Sequence, residues 1–116
     1  MFIVDEKDKQ YRFGDWGPKY LMQGPRMNFA VVQFLPGQDF QAHYHEVMEE
    51  NFFILEGKIT IVVEGKPHDL TPGLMIHIEP KETHYVINRS DSVVRMIASL
   101  APYKDGDKVE VPNPAV

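Results

Sequence analysis

Short runs of apolar residues alternate along the chain with clusters of turn-forming residues. The runs are rich in β-branched and aromatic side chains, and no stretch keeps the roughly 3.6-residue apolar period of a long amphipathic helix. Glycine, proline, asparagine and aspartate separate the runs, and these residues favour turns. The pattern predicts strands over Asn28–Leu35, Phe52–Leu55, Lys58–Glu64, Leu74–Ile78, His84–Asn88 and Val93–Leu100.

Strands that recur every 8 to 12 residues or so predict an all-β sandwich or barrel, because such folds hide their sheet edges. The 116 residues have room for one compact domain. We expect a barrel core over about 28–100, an N-terminal arm over 1–27 and an extended C-terminal tail over 101–116. Within the arm, the apolar segment Phe2–Val4 is a candidate edge strand that could join a partner's sheet.

Composition removes several classes of function. The chain has no cysteine, which excludes disulfide scaffolds, thiolate metal sites and cysteine nucleophiles. Its net charge is −5, so we expect neither a nucleic-acid nor an anionic-membrane partner. No apolar run approaches the roughly 20 residues of a membrane span, and the first residues do not resemble a secretory signal. The expected location is cytoplasmic.

The central segment carries the candidate chemistry. Side chains at positions i and i+2 of a strand project from the same face, so His43 and His45 point together. Glu50 shares a face with apolar residues of the next run, and a buried carboxylate needs a partner such as a cation held with the two histidines. His84 starts another short strand. Three imidazoles and one carboxylate suit Fe, Mn, Ni, Co, Cu or Zn and leave two positions open on an octahedral ion.

The spacing of these residues resembles the cupin superfamily. The first cupin motif, G(X)5HXH(X)3–4E(X)6G, is met in full by Gly37, His43, His45, Glu50 and Gly57. The second motif, G(X)5PXG(X)2H(X)3N, is met by Gly73, His84 and Asn88, whereas Glu79 and Lys81 stand where proline and glycine are usual. The short distance between the two motifs is similar to that of small microbial cupins.

The resemblance implies a single cupin domain over 1–116 that forms a small double-stranded β-barrel, like a jelly roll, with one divalent transition metal ion near its axis. Carried over residue by residue, the metal ligands are His43, His45, Glu50 and His84. Small cupins also commonly dimerise by exchanging N-terminal strands, so a homodimer is expected.

Several residues outside the proposed ligand set have two alternative roles. Glu49 faces away from Glu50 by strand alternation and is expected in solvent. His77 could line the pocket or lie on the surface, and Arg95 could bind an anionic ligand or, more simply, form a salt bridge. His77, Glu79 and Tyr103 are candidate bases, although no spacing singles one out. Trp16 and Tyr20 are expected either to cap the barrel mouth or to form a dimer surface.

Together these features favour a metal-dependent enzyme. A divalent ion with one carboxylate carries a charge of about +1 and attracts an anionic or carbonyl-containing small molecule. The first hypothesis is an isomerase or lyase that acts on a sugar-like or keto/hydroxy acid metabolite, with the metal as a Lewis acid. The alternatives are a non-haem iron dioxygenase and a non-catalytic small-molecule binding barrel. No catalytic residue is assigned.

Overall fold

The computed structural model describes all 116 residues and contains ten β-strands and one short 3-10 turn, Glu6–Asp8. The strands are β1 Gly17–Gln23, β2 Asn28–Phe34, β3 Asp39–His45, β4 Glu49–Glu56, β5 Ile59–Val63, β6 Lys66–Leu70, β7 Met75–Ile78, β8 His84–Ile87, β9 Val94–Ala101 and β10 Lys108–Glu110. They form two five-stranded antiparallel sheets, ordered β1-β2-β9-β4-β7 and β10-β3-β8-β5-β6. The expected all-β double-stranded barrel is therefore confirmed.

The core lies between the two sheets and follows from strand alternation. In β9, every second residue from Val94 to Leu100 is buried, and in β4 the buried positions are Glu50, Phe52 and Ile54. One apolar cluster fills the space between the sheets: Ala30, Val32, Phe34, Phe52, Ile54, Ile59, Ile61, Ile78, Val86, Val94, Met96 and Ala98. Glu50 thus enters the barrel on the face that its own strand buries.

The apolar pattern locates six of the ten strands, and three of the four that it misses lie at sheet edges. The six predicted runs correspond to β2, β4, β5, β7, β8 and β9, with β4 beginning earlier than predicted. Of the four strands outside these runs, β1, β6 and β10 each have a single neighbour in their sheet, whereas β3 lies between β10 and β8 and is indicated only by the spacing of His43 and His45. β6 is exposed along most of its length. Edge strands bury less surface, so an apolar pattern identifies them poorly.

The two ends of the chain differ from their expected conformations. Phe2–Val4 forms no strand, and Met1, Phe2 and Ile3 are exposed. Phe2–Val4 therefore adds to no sheet within one copy of the chain, and its addition to a partner's sheet stays a prediction. The tail is not merely extended, since β10 pairs with β3 in register Lys108↔His45 and Glu110↔His43.

Gly57 of the first motif is required by close packing. Its φ is +80°, and an added Cβ would lie 2.4 Å from the carbonyl oxygen of Val93. Only glycine meets both conditions without strain. The motif glycine therefore closes the barrel where β4 turns toward β5. No helical segment of the structure has the length and apolar character of a membrane span.

Candidate metal centre and ligand cavity

Three strands of the two sheets bring the four candidate ligands together. His43 and His45 project inward from β3, Glu50 from β4 and His84 from the start of β8. His43 and His84 are directly opposed in the β3–β8 pairing. All four residues are buried, and their ligand atoms lie within 4.8 Å of one another. Strand pairing thus brings residues of the two separate motifs into one compact cluster.

The nitrogen and oxygen atoms of the cluster converge on Glu50. His84 Nε2 lies 3.0 Å and His45 Nε2 lies 3.5 Å from Glu50 Oε1. The His43 and His84 ring centroids are 4.4 Å apart. Buried His45 Nε2 has no hydrogen-bond partner of good geometry. A buried nitrogen without a partner is unfavourable unless another group satisfies it.

Backbone carbonyls orient all three imidazoles. His43 Nδ1 lies 2.7 Å from the Gln41 oxygen, and His84 Nδ1 lies 3.0 Å from the Glu82 oxygen. His45 Nδ1 lies 3.1 Å from the oxygen of Asp107. A carbonyl oxygen only accepts, so each Nδ1 carries a proton and each Nε2 is directed into the cluster. This arrangement is typical of metal-binding histidines, whose second nitrogen donates to a neighbouring oxygen.

The charges of the cluster suit a cation. Burial, together with nearby His84, lowers the pKa of His43 to about 4 and keeps this ring neutral at neutral pH. Burial alone would raise the pKa of Glu50, but contacts with His45 and His84 outweigh burial and lower it to about 2. Burial opposes protonation of His84, whereas its hydrogen bond with Glu50 raises its pKa overall. The buried carboxylate of Glu50 thus lies among three imidazoles, an arrangement that a cation would complete.

Asp107, immediately before β10, holds the turn that joins His45 to Glu50. Its carboxylate accepts hydrogen bonds from the backbone N–H groups of Glu46, Val47 and Met48, at distances from 2.8 to 3.2 Å. Its carbonyl oxygen accepts from His45 Nδ1. Burial opposes ionisation of Asp107, but the backbone donors lower its pKa overall. One tail residue therefore fixes both the ring of His45 and the loop before Glu50.

A cavity of about 230 Å³ opens beside the cluster. His43, His45 and Glu50 lie in its wall. Aromatic side chains make up much of the rest: Phe13, Trp16, Tyr20, Phe40 and Phe52. The charged residues along the lining, apart from the cluster itself, are Arg12, Asp39, Lys108 and Glu110. The cavity is thus aromatic on its walls and charged near the rim.

Residues 11–20, here called the capping segment, form one side of this cavity. Tyr11 and Gly14 make a β-bridge, and the Phe13 N–H donates to the Trp16 oxygen at 3.1 Å. The Phe13 and Trp16 rings are 4.5 Å apart, and Trp16 also lies 6.4 Å from the Phe40 ring. Trp16 and Tyr20 therefore cap the barrel mouth, the first of the two roles expected for them.

The structure separates the remaining candidates from the cavity. His77 pairs with Asn51 on the outer face of β7, with its ring between Glu49 and Glu79. Tyr103 is exposed and packs against Gly24. None of the candidate bases His77, Glu79 and Tyr103 lines the cavity. His77 is excluded because the inward positions of β7 are Ile76 and Ile78. Glu49 is half-exposed, as expected.

Arg95 forms the salt bridge that the sequence favours. Its Nη2 lies 2.9 Å from Glu6 Oε1, outside the cavity. Lys19 approaches the same carboxylate at 3.4 Å. The ion pair between Arg95 and Glu6 connects the 3-10 turn of the N-terminal arm to β9.

Two residues of the site lack any local sequence signal. Arg12 and Asp107 lie outside the two motifs, and each reaches the site through pairing of distant segments. Tyr20 is the single hydroxyl-bearing residue of the cavity lining. Burial raises the pKa of this hydroxyl, while the Arg12 guanidinium opposes the rise.

The fold is a double-stranded β-barrel, and three histidines and a glutamate lie together inside it, beside a cavity large enough for a small ligand. These features are typical of the class of β-barrel proteins with an internal metal-binding site. The family model "Cupin domain" matches residues 30–100, and the chain belongs to the cupin family. Polyketide synthase CurC from Streptomyces cyaneus is 32% identical over 78 residues, which are 66% of this chain and 48% of CurC. Quercetin 2,3-dioxygenase from Bacillus subtilis is 33% identical over 60 residues, 52% of this chain and 18% of that enzyme.

Solved structures show the same fold at lower identity. The polyketide cyclase RemF from Streptomyces resistomycificus superposes with a TM-score of 0.82 at 20% identity, covering 98% of this chain and 87% of RemF. By contrast, the aligned part of this chain spans about half the length of CurC and a smaller part of the dioxygenase. These similarities establish the barrel fold. They do not identify the reaction, which has to be argued from the residues of the site.

Proposed function

We propose that this protein binds one divalent transition metal ion through His43, His45, Glu50 and His84 and is a metal-dependent enzyme. The observation that carries the proposal is the buried cluster, in which the Nε2 atoms and one carboxylate converge beside a cavity. Metal–nitrogen bonds of about 2.1 Å place neighbouring ligands about 3 Å apart and opposite ligands about 4 Å apart. The distances of 3.0 and 3.5 Å from Glu50 Oε1 to His84 Nε2 and His45 Nε2 are of this size, and a metal at this position would satisfy the unpartnered His45 Nε2.

The metal, when bound, supplies a Lewis acid that polarises a carbonyl or enol oxygen. The surrounding residues select what reaches it. Aromatic walls exclude water and favour a planar ligand, whereas a polyhydroxylated sugar would find few hydrogen-bonding partners there. Among the substrates that the sequence allows, the cavity therefore favours a small keto or hydroxy acid with an apolar part. Proton abstraction next to a carbonyl is the reaction class that we propose.

A dioxygenase is the second candidate. The similarity to quercetin 2,3-dioxygenase supports it, because that relative's name describes an oxygen-dependent reaction on an aromatic compound. An aromatic-lined cavity suits such a substrate as well. The two candidates differ in the metal and in the need for oxygen.

Elemental analysis of untagged protein, purified without chelators, tests the metal site. We expect about one equivalent of Fe, Mn, Ni, Co, Cu or Zn per chain. We then expect the manganese- or zinc-loaded protein to accelerate exchange of the C3 protons of phenylpyruvate in D2O, measured by NMR, relative to metal-free protein. Oxygen consumption by the iron-loaded protein would favour the dioxygenase instead. Metal well below one equivalent, not restored by added divalent ions, would indicate a binding barrel.

We also propose that the chain forms a homodimer. An exposed apolar surface on the outer side of β4 and β7 includes Phe53, Leu55 and Met75, and Met1–Ile3 are exposed too. Monomeric proteins rarely expose large apolar patches, and such patches usually mark a surface that binds another chain. Light scattering at micromolar concentration should give about twice the chain mass of 13.4 kDa. A mass near that of one chain would contradict this prediction.

A further inference from the structure

Arg12 is an unpaired cation at the cavity. Eight ion pairs form in the structure, and none of them includes Arg12. Its side chain lines the cavity, with the guanidinium carbon 5.5 Å from the centre of the Tyr20 ring. Packing on an aromatic face holds a guanidinium while leaving its N–H groups free to bind another partner.

The backbone of the capping segment fixes the position of Arg12. The Arg12 N–H donates to the Pro18 oxygen at 2.9 Å, next to the bridge between Tyr11 and Gly14. The neighbouring Phe13 ring packs on Trp16. Arg12 therefore projects from a turn that is anchored to the barrel by backbone hydrogen bonds and aromatic contacts.

The other rim charges are better compensated. Asp39 accepts a hydrogen bond from the Tyr85 hydroxyl. Lys108 forms no ion pair either, but it lies two residues from Glu110 on β10, on the face of His43 and His45, so a carboxylate lies beside it. A guanidinium also matches a carboxylate with two parallel hydrogen bonds, which an ammonium group cannot do. Arg12 is thus the rim cation best suited to hold an anion.

We propose that Arg12 binds the carboxylate of an aromatic acid whose ring lies among the aromatic residues of the cavity. This inference rests on the proposed function for the ligand's second polar group, which faces the His43–His45–Glu50–His84 cluster. An apolar cavity of about 150 Å³ holds benzene, so about 230 Å³ accommodates one substituted ring. Arg12 lies outside the matched family segment 30–100, so this selectivity belongs to the capping segment of this chain.

Titration of Trp16 fluorescence with benzoate tests the inference, because Trp16 is the single tryptophan and lines the same cavity. We expect benzoate to bind metal-free and zinc-loaded protein. Arg12→Gln should weaken benzoate binding about tenfold or more through loss of a charge-assisted contact. Benzamide, which is uncharged, should bind the variant and the wild type alike. Acetate, which lacks the ring, should bind neither.

Lys108→Gln is the matched control, since Lys108 is the other cation of the cavity lining and its removal should change benzoate affinity less than about threefold. Both residues are exposed, so neither variant should affect folding. Benzoate that fails to bind, binds equally to Arg12→Gln, or depends instead on Lys108 would overturn the inference. Arg12-dependent binding in a protein that takes up no metal would contradict the proposed function and leave the inference standing.

Discussion

The His84→Ala variant should lose most of its bound metal, while Glu49→Ala should retain about one equivalent. His84 is almost fully buried, and its Nε2 lies 3.0 Å from the Glu50 oxygen at the centre of the cluster. Removing even a residue that only supports a ligand commonly reduces metal affinity by about 10- to 100-fold. Loss of a ligand itself should cost at least as much. Elemental analysis after dialysis against metal-free buffer measures the difference.

Glu49 is a stringent control because it is a carboxylate immediately before Glu50. It is half-exposed and contacts His77 on the outer face of the sheet. Equal loss of metal from both variants would mean that the glutamate assignment is wrong. If His84→Ala retained its metal, the ion would be bound without His84 and the proposed site would be wrong. Circular dichroism of both variants separates loss of metal from loss of the fold.

Asp107→Asn should lower the free energy of unfolding by about 2 to 3 kcal/mol, because a carboxylate that accepts from three backbone N–H groups is replaced by an amide. The amide NH2 group repels those donors, and only one acceptor oxygen remains. Since the affected turn leads from His45 to Glu50, the variant should also bind metal more weakly. Urea denaturation measures the stability, and competition with a chelator measures the metal affinity.

The pH dependence gives this prediction a second readout. The folded-state pKa of Asp107 is lowered, so its stabilising contribution is present above the unfolded pKa of about 3.9 and is lost as pH falls through the folded value. The difference between wild type and Asp107→Asn should therefore be largest near neutral pH and shrink below about pH 4. Asp105→Asn, at an exposed position, should change stability by less than about 0.5 kcal/mol. A similar loss in both variants would contradict the role given to Asp107.

The inner strands and the candidate ligands follow from local sequence. Alternation along β4 places Glu50, Phe52 and Ile54 on one face whatever the rest of the chain does. The i, i+2 spacing does the same for His43 and His45. The run of β9 alternates in the same way, with Val94, Met96, Ala98 and Leu100 buried. A two-residue period is a local property, and it needs no knowledge of the partner strand.

The sequence by itself determined the all-β class and the inward faces of His43, His45 and Glu50, because these depend on spacing within short segments, and its resemblance to the cupin motifs added His84 and the barrel. Only the tertiary structure decided what surrounds these four residues. The capping segment brings Arg12 and Trp16 over a cavity whose other walls come from later strands. Asp107 reaches a turn some 60 residues earlier in the chain. Such contacts depend on which edge strand pairs with which sheet, and edge strands carry too little apolar pattern to specify that choice locally.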